Sequence, residues 1–215
     1  NIILSAATSI TDIRLNTTSH MVANALSATA GTGILLETAV NTVTTATTSG
    51  TGSIVLQEAD GVTLTNVVAA DGFITVTAGG AILATNVVSS NSIDANDISL
   101  TASTGDVTLG FVSAGTAAAD VAIIATVGRI IDNGNDTATD VTGDVVTLTA
   151  SGDIGQTLNL HIDTAANSLT TSSNSAVVGG AHGTWINEVD AVTVTSATTT
   201  DGVIVITSGG TQTDT

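Results

Sequence analysis

The chain contains no cysteine, proline, lysine or tyrosine, and its aromatic residues are one Trp and two Phe. Without cysteine, no disulfide holds the fold. Compact cores usually rely on bulky aromatic side chains, so a core here consists of Val, Ile, Leu and Ala. The missing proline is typical of interior strands, where every N–H is needed. No apolar run approaches the roughly 18 residues of a membrane-spanning helix, so we expect no membrane insertion.

Positive charge is nearly missing as well. Arg14 and Arg129 are the only Arg or Lys residues, against 19 carboxylates, and the net charge is −17. Nucleic acid would repel such a chain, so we expect no nucleic-acid partner, whereas metal cations or basic partners would be attracted. Alternatively, Asp and Asn occupy turns, which favour these residues for local hydrogen bonding, and keep the protein soluble.

One strand sequence occurs twice in this chain. "QEADGVTLTN" (Gln57 to Asn66) returns as "NEVDAVTVTS" (Asn187 to Ser196), and "DGFITVTAGG" (Asp71 to Gly80) returns as "DGVIVITSGG" (Asp201 to Gly210), each 130 residues later. These pairs predict an internal duplication.

Upstream the spacing is 120 residues. "NIILSAATSITD" (Asn1 to Asp12) matches "VAIIATVGRIID" (Val121 to Asp132), and "ALSATAGTGI" (Ala25 to Ile34) matches "VVTLTASGDI" (Val145 to Ile154). We therefore interpret 1–215 as one continuous domain with a super-repeat, 1–120 and 121–215. Neither end reads as a finished terminus, so we expect a piece of a longer chain.

A shorter period lies beneath the super-repeat. "NDISLTASTGDV" (Asn96 to Val107) returns as "ADVAIIATVGRI" (Ala119 to Ile130) after 23 residues. Within strands, apolar residues alternate with Thr, as in "FITVTAG", which is typical of one buried face. Short strands at a period of about 20–25 residues predict an all-β fold, a right-handed parallel β-helix of about nine coils.

The motifs "VTLTASGDIG", "VTAGGAI" and "TSGTGSIVLQEADGVTL" resemble the tandem repeats of giant bacterial surface adhesins, similar to filamentous haemagglutinin with its β-solenoid stalks. The resemblance implies an extracellular or bacterial cell-surface location and a structural or adhesive role. It carries no catalytic residues, so we expect no enzyme. The predicted object is a rod-like segment of a surface fibre, sheath, surface layer or giant adhesin.

Such a segment would assemble by lateral or end-to-end self-association, or continue within a longer chain, with a cell-surface glycan as a candidate partner. Open coil ends normally need a cap. A ligand-binding solenoid for calcium, glycan or ice is the alternative function. A polysaccharide-active enzyme is the remote one, because Lys and Tyr are absent.

Calcium is the only cofactor that the sequence suggests. The oxygen-rich stretch "DNGNDTATD" offers the hard ligands that Ca²⁺ prefers, namely Asp132, Asn133, Asn135, Asp136 and Asp140. The aligned first copy reads "DIRLN" from Asp12 and lacks the pattern. An ordinary Asx-rich turn is the alternative interpretation.

A duplicated acidic set is the candidate partner surface. Glu58 and Glu188 are predicted to occupy equivalent surface positions, as are Asp60 and Asp190. With Asp71 and Asp201, such carboxylates could in principle serve as the acid and base of a glycosidase. The same residues are equally typical of ordinary turns.

Trp185 aligns with Val55, between inward positions, and would then point outward as a contact anchor; the alternative is that a neighbouring loop covers it. His20, His161 and His182 share no spacing and no carboxylate partner in the sequence, so we expect surface histidines. Outward Thr rows favour ice binding only if they stack regularly. The expected rungs are Thr75/Thr77, Ser99/Thr101, Ile123/Ala125 and Thr147/Thr149.

Overall fold

The computed structural model describes residues 1–12, 21–134, 136–156, 160–175 and 182–215. These residues form 21 strands of one sheet and no helix. Every pairing between the strands is parallel. Within the described ranges, no helix is long and apolar enough to cross a membrane.

The strands have the following bounds: β1 (Ile2–Ala6), β2 (Ser9–Thr11), β3 (Met21–Ala30), β4 (Gly33–Thr51), β5 (Ile54–Glu58), β6 (Val62–Leu64), β7 (Val67–Asp71), β8 (Ile74–Ala78), β9 (Ile82–Ala84), β10 (Val87–Ser89), β11 (Ile98–Ala102), β12 (Val107–Leu109), β13 (Val112–Ser113), β14 (Val121–Ala125), β15 (Ile130–Asp132), β16 (Val141–Ala150), β17 (Ile162–Ser173), β18 (Gly183–Glu188), β19 (Val192–Thr199), β20 (Val203–Ser208) and β21 (Gln212–Asp214).

Three strands make one turn of the coil. β5, β6 and β7 are followed by β8, β9 and β10, each of which pairs with the strand one turn earlier. β11, β12 and β13 form the next turn in the same way. The described residues build a parallel β-solenoid of about eight turns, which confirms the predicted fold and lies close to the expected coil number. The right hand of the coil stays a prediction.

The core is a stack of aliphatic layers inside the coil. Ile74, Val76 and Ala78 lie in register with Ile98, Leu100 and Ala102 of the next turn, and all six are buried. The alternating Thr residues face outward between them. Because each coil covers only one side of its neighbour's apolar layer, stability comes from stacking rather than from any single turn.

Two long strand pairings have equivalent registers. β3 pairs with β4 from Met21↔Thr38 onward, and β16 pairs with β17 from Val141↔Thr164 onward. "ETAVNTVTT" from Glu37 and "DTAANSLTT" from Asp163 are therefore equivalent segments, a match that the sequence comparison missed.

The distance between the copy that contains Glu58 and the copy that contains Glu188 is not a whole number of turns of the coil. Glu58 lies in the ladder that continues through Ala78 and Ala102, whereas Glu188 lies in the ladder through Thr164 and Val141. Equivalent residues consequently lie on different faces of the coil.

The predicted register of the first coil against residues 121–132 is wrong by one residue. Ile2, not Asn1, takes the position of Val121, because Ile2 pairs with Leu26 as Val121 pairs with Val146. Such a slip matters because a shift of one residue exchanges the inward and outward faces of a strand.

The predicted Thr row is also corrected. Thr75 and Thr77 stack on Ser99 and Thr101, as expected, but the next rung is Ala122 and Ile124, because Ile123 and Ala125 point inward. Ala122 and Ile124 then stack on Thr147 and Thr149. The row of hydroxyls is thus interrupted by two apolar side chains.

Candidate functional site

Glu58 is buried at the end of β5. It follows Ile54 and Leu56 on the inward side of the strand, and 5% of its surface is exposed. Its Oε2 accepts a hydrogen bond from the Thr38 hydroxyl at 2.6 Å, and its Oε1 accepts one from the Val40 N–H at 3.0 Å. The carboxylate thus reaches back to the preceding coil and joins the two coils at their corner.

Glu188 makes the same contacts in the second copy. It is 1% exposed, and its Oε2 accepts from the Thr164 hydroxyl at 2.6 Å while its Oε1 accepts from the Ala166 N–H at 3.1 Å. We call each arrangement a glutamate clasp: Glu58 with Thr38 and Val40, and Glu188 with Thr164 and Ala166.

The backbone around the two clasps is equivalent as well. The residue after each glutamate donates to the threonine carbonyl, Ala59 to Thr38 and Val189 to Thr164, both at 2.9 Å. Each glutamate carbonyl then accepts from a glycine of the next coil, Gly79 or Gly209, also at 2.9 Å.

These glycines are needed for close approach. A Cβ on Gly79 would lie 2.1 Å from the carbonyl oxygen of Ala59, and a Cβ on Gly209 would lie 2.2 Å from that of Val189. Each clasp therefore depends on three successive coils.

The predicted surface location of Glu58 and Glu188 is wrong. Both occupy the third inward position of an apolar strand, where a carboxylate is tolerated because it receives two hydrogen bonds. Asp60 and Asp190 are exposed, as expected of a surface pair, and their role in partner contact stays a prediction. The Thr-Ala dipeptide at 38–39 and 164–165, whose threonine bonds each glutamate, was the overlooked signal.

Burial raises the pKa of Glu58, and the threonine hydroxyl and backbone N–H oppose that effect. A hydrogen bond to Asp60 raises the pKa of Glu58 further. Burial likewise raises the pKa of Glu188; Thr164, the Ala166 N–H and the Asp190 N–H oppose the increase, and a side-chain hydrogen bond with Asp190 adds to it. Each clasp therefore holds its proton more tightly than an exposed carboxyl does.

Aspartates also join neighbouring coils. They accept hydrogen bonds from the following coil, whereas the glutamate clasps accept from the preceding coil. Five of them directly precede an Ile or Val and accept a backbone N–H from the following coil at 2.8–3.1 Å. These five, which we call corner aspartates, are Asp97, Asp106, Asp120, Asp140 and Asp153. The recurring dipeptides DI and DV mark them in the sequence, although composition alone suggested only turn residues.

The predicted calcium ligands are used within the chain. Asp132 Oδ1 accepts from the Gly134 N–H at 2.6 Å, Asp136 Oδ1 from the Ala138 N–H at 2.7 Å, and Asp140 Oδ2 from the Asp163 N–H at 2.9 Å. The first two are Asx turns, while Asn133 is exposed and Asn135 lies outside the described residues. Over the described residues, no group of three or more acidic, His or Cys side chains is arranged to hold a metal ion.

Asp140 is the most perturbed of these acids. Its side chain is buried, with 3% of the residue exposed, and burial raises the pKa to about 8. The negative charges of Asp132, Asp163 and Asp136 add to the increase, while the Asp163 N–H opposes it.

Two corner aspartates also bind cationic or titratable side chains. Asp106 lies 2.9 Å from the Arg129 guanidinium, which lowers the pKa of Asp106 although burial opposes the change. Asp153 Oδ2 lies 3.1 Å from His182 Nδ1. The expectation that the histidines have no carboxylate partner is therefore wrong for His182, and His20 lies outside the described residues.

Trp185 is buried, with an exposed fraction of 4%. Of the two interpretations that the sequence left open, this burial contradicts the exposed contact anchor and agrees with a covered side chain. The residue pairs with Val205 in the next coil and does not belong to the continuous aliphatic core. A direct partner contact through this side chain would require the structure around it to open.

Comparisons of the chain with protein-family models, curated proteins and solved structures find no significant match. The fold class that the repeat motifs implied is the one the structure has, a parallel solenoid. What those motifs imply about role and location is taken up as a proposal below.

Replacing Glu58 by Ala removes the acceptor of two donors, the Thr38 hydroxyl and the Val40 N–H. Because loss of an acceptor costs a buried donor about 1–3 kcal/mol, we expect the loss at two donors to lower the unfolding free energy by about 2–6 kcal/mol. Urea unfolding followed by circular dichroism measures it.

The matched control is Gln57→Ala on the same strand, where the side chain is exposed. Its effect should stay within about 0.5 kcal/mol. Equal losses in the two variants would contradict the clasp.

Asp140→Asn tests the raised pKa. A carboxyl whose pKa is about 8 when folded and 3.8 when unfolded binds protons more tightly in the native state between those values. Native stability should then fall as pH rises from about 4 to 8, by up to about 1.4 kcal/mol for each pH unit. The variant should lose this dependence and be more stable than the parent at pH 8.

The control for Asp140→Asn is Asp201→Asn, which removes the same charge from an exposed position. Thermal unfolding of the three proteins across this pH range decides the outcome. The prediction fails if Asp140→Asn and the parent protein show parallel pH profiles.

Proposed function

We propose that this chain is a structural segment of an extracellular rod, belonging to a bacterial surface fibre, sheath, surface layer or giant adhesin. The observation that carries the proposal is the use of the carboxylates. Both glutamate clasps and all five corner aspartates bond one coil to another rather than converging on a common cleft. Such an arrangement strengthens a rod against separation of its coils.

The sides of the rod support the same role. The outward positions of β8 and β11 are all Thr or Ser, and the exposed acids give the surface a strong negative charge that keeps rods soluble. The repeat motifs that resemble bacterial adhesins favour a location at the cell surface. Ice binding, one of the alternatives, would need a continuous hydroxyl row, which Ala122 and Ile124 interrupt.

Apolar side chains are exposed in the terminal coils, as they are at Phe73, Ile93, Phe111, Val127 and Val189 elsewhere on the surface. Ile3 and Val22 are exposed in the first coils, and Val203 and Ile204 in the last. β1 and β20 each pair with a single strand, β3 and β18 respectively, among the described residues. Unpaired edges favour axial contacts with further coils.

Ile204→Glu tests these axial contacts. Ile204 lines the end of the coil and is 38% exposed, so a charge there should weaken axial association while leaving most of the stacked core intact. We expect the parent chain to form end-to-end rods at high concentration and the variant to form shorter ones. Sedimentation velocity and negative-stain electron microscopy measure the length distribution.

Val127→Glu is the matched control. Val127 is 61% exposed on a corner between β14 and β15, so the same charge is added to the side of the rod. It should behave as the parent chain does. A parent chain that stays a single rod at every concentration, or equal shortening by both substitutions, would contradict an axial building role.

A further inference from the structure

Asn133 and Gly134 form the only Asn-Gly pair in the sequence. They lie directly after β15, where the chain leaves the coil, and both residues are exposed. Asparagine is thermolabile, because its side-chain carbon Cγ can react with the backbone nitrogen of the following residue. A glycine in that following position has no Cβ to shield the nitrogen or to restrict the backbone. The pair therefore combines a reactive side chain with an accessible nitrogen.

The rod holds the corresponding nitrogens after two other asparagines. The N–H of Val67, which follows Asn66, donates to the Asn86 carbonyl at 2.9 Å. The N–H of Val87, which follows Asn86, donates to the Phe111 carbonyl at 2.8 Å. Attack by either nitrogen would break a hydrogen bond between two coils, so the fold protects both asparagines.

The Gly134 nitrogen is held in another way. Its N–H donates to Asp132 Oδ1 at 2.6 Å, within the same turn rather than to another coil. The Asn133 N–H donates to the Leu109 carbonyl of the preceding coil at 2.7 Å, which keeps the start of the turn attached to the rod. The nitrogen that would react is therefore outside the ladder and already contacts a carboxylate oxygen.

A second carboxylate lies close to the glycine. A Cβ on Gly134 would lie 2.6 Å from Asp136 Oδ2, so the missing side chain is what allows this approach. Asp136 Oδ1 accepts the Ala138 N–H at 2.7 Å. Asp132 is thus the acid bonded to the Gly134 N–H, and Asp136 supplies a matched charge in the same turn.

We propose that Asn133 is a self-modification site, which deamidates through a cyclic imide with the Asp132 carboxylate as the base. The Gly134 nitrogen bonds to Asn133 Cγ while Asp132 Oδ1 takes its proton. Asp132 passes that proton to the side-chain nitrogen of Asn133, which leaves as ammonia. Water, the only co-reactant, then opens the imide at one of its two carbonyl groups. The product carries a carboxylate in place of the amide, as aspartate or isoaspartate.

The inference does not depend on the proposed axial role and is tested on the whole chain, incubated in neutral buffer. Peptide mass spectrometry follows the conversion of the amide at position 133, with Asn66 and Asn86 as internal references in the same sample. We expect Asn133 to be the site that converts. Both references should stay unconverted when half of Asn133 has reacted, because their neighbouring nitrogens are held between coils.

Asp132→Asn tests the base. The introduced amide keeps an oxygen that accepts the Gly134 N–H but cannot take its proton, so the rate at Asn133 should fall about tenfold or more in the folded chain. In urea, where the turn is not held, parent and variant should react at similar rates. Circular dichroism establishes that the variant is folded before incubation.

Asp136→Asn is the matched control, because it removes the same charge from the same turn and leaves the Asp132 carboxylate in place. Its rate at Asn133 should stay close to that of the parent chain. An Asn133 that does not convert, equal rates in the folded parent and Asp132→Asn, or equal slowing by both substitutions would overturn the inference.

Discussion

Backbone N–H groups at the corners of each coil need an acceptor in a neighbouring coil, and this requirement organises the molecule. Along the flat faces, the parallel ladder satisfies them. Where the chain bends, backbone carbonyls of the neighbouring coil accept many of these N–H groups and carboxylates accept others: corner aspartates accept from the coil that follows, and the glutamate clasps accept from the coil that precedes. Since a buried N–H without a partner is costly, these side chains are structural.

Because some carboxylates meet this requirement, the acidic residues of the chain fall into two groups. Some carboxylates are exposed, as in Asp60 and Asp190, and contribute to the negative charge of the surface. Others are enclosed, and burial raises the pKa of Glu58, Glu188 and Asp140. A buried acid that is stacked near other acids stabilises the rod most when it is protonated, so mildly acidic conditions should favour compact coils.

The sequence alone was sufficient for the parallel solenoid, because stacking like on like requires a repeat and because period-two alternation fixes which face is buried. It was insufficient for Glu58 and Glu188, since their partners Thr38 and Thr164 lie one coil away and the spacing of 126 residues between those threonines differs from the 130 between the glutamates. For Trp185 the sequence left exposure and coverage open, because alternation indicates the side to which a residue points but not what covers it.

The most direct test of this account is a pH titration of the side-chain carboxyl carbons by nuclear magnetic resonance. If the carboxylates join coils, Glu58, Glu188 and Asp140 should titrate above the usual range for their residue types, and Asp106, beside Arg129, below it. Titration of all four groups in the ordinary range would mean that they face solvent, and it would contradict the central role given to them.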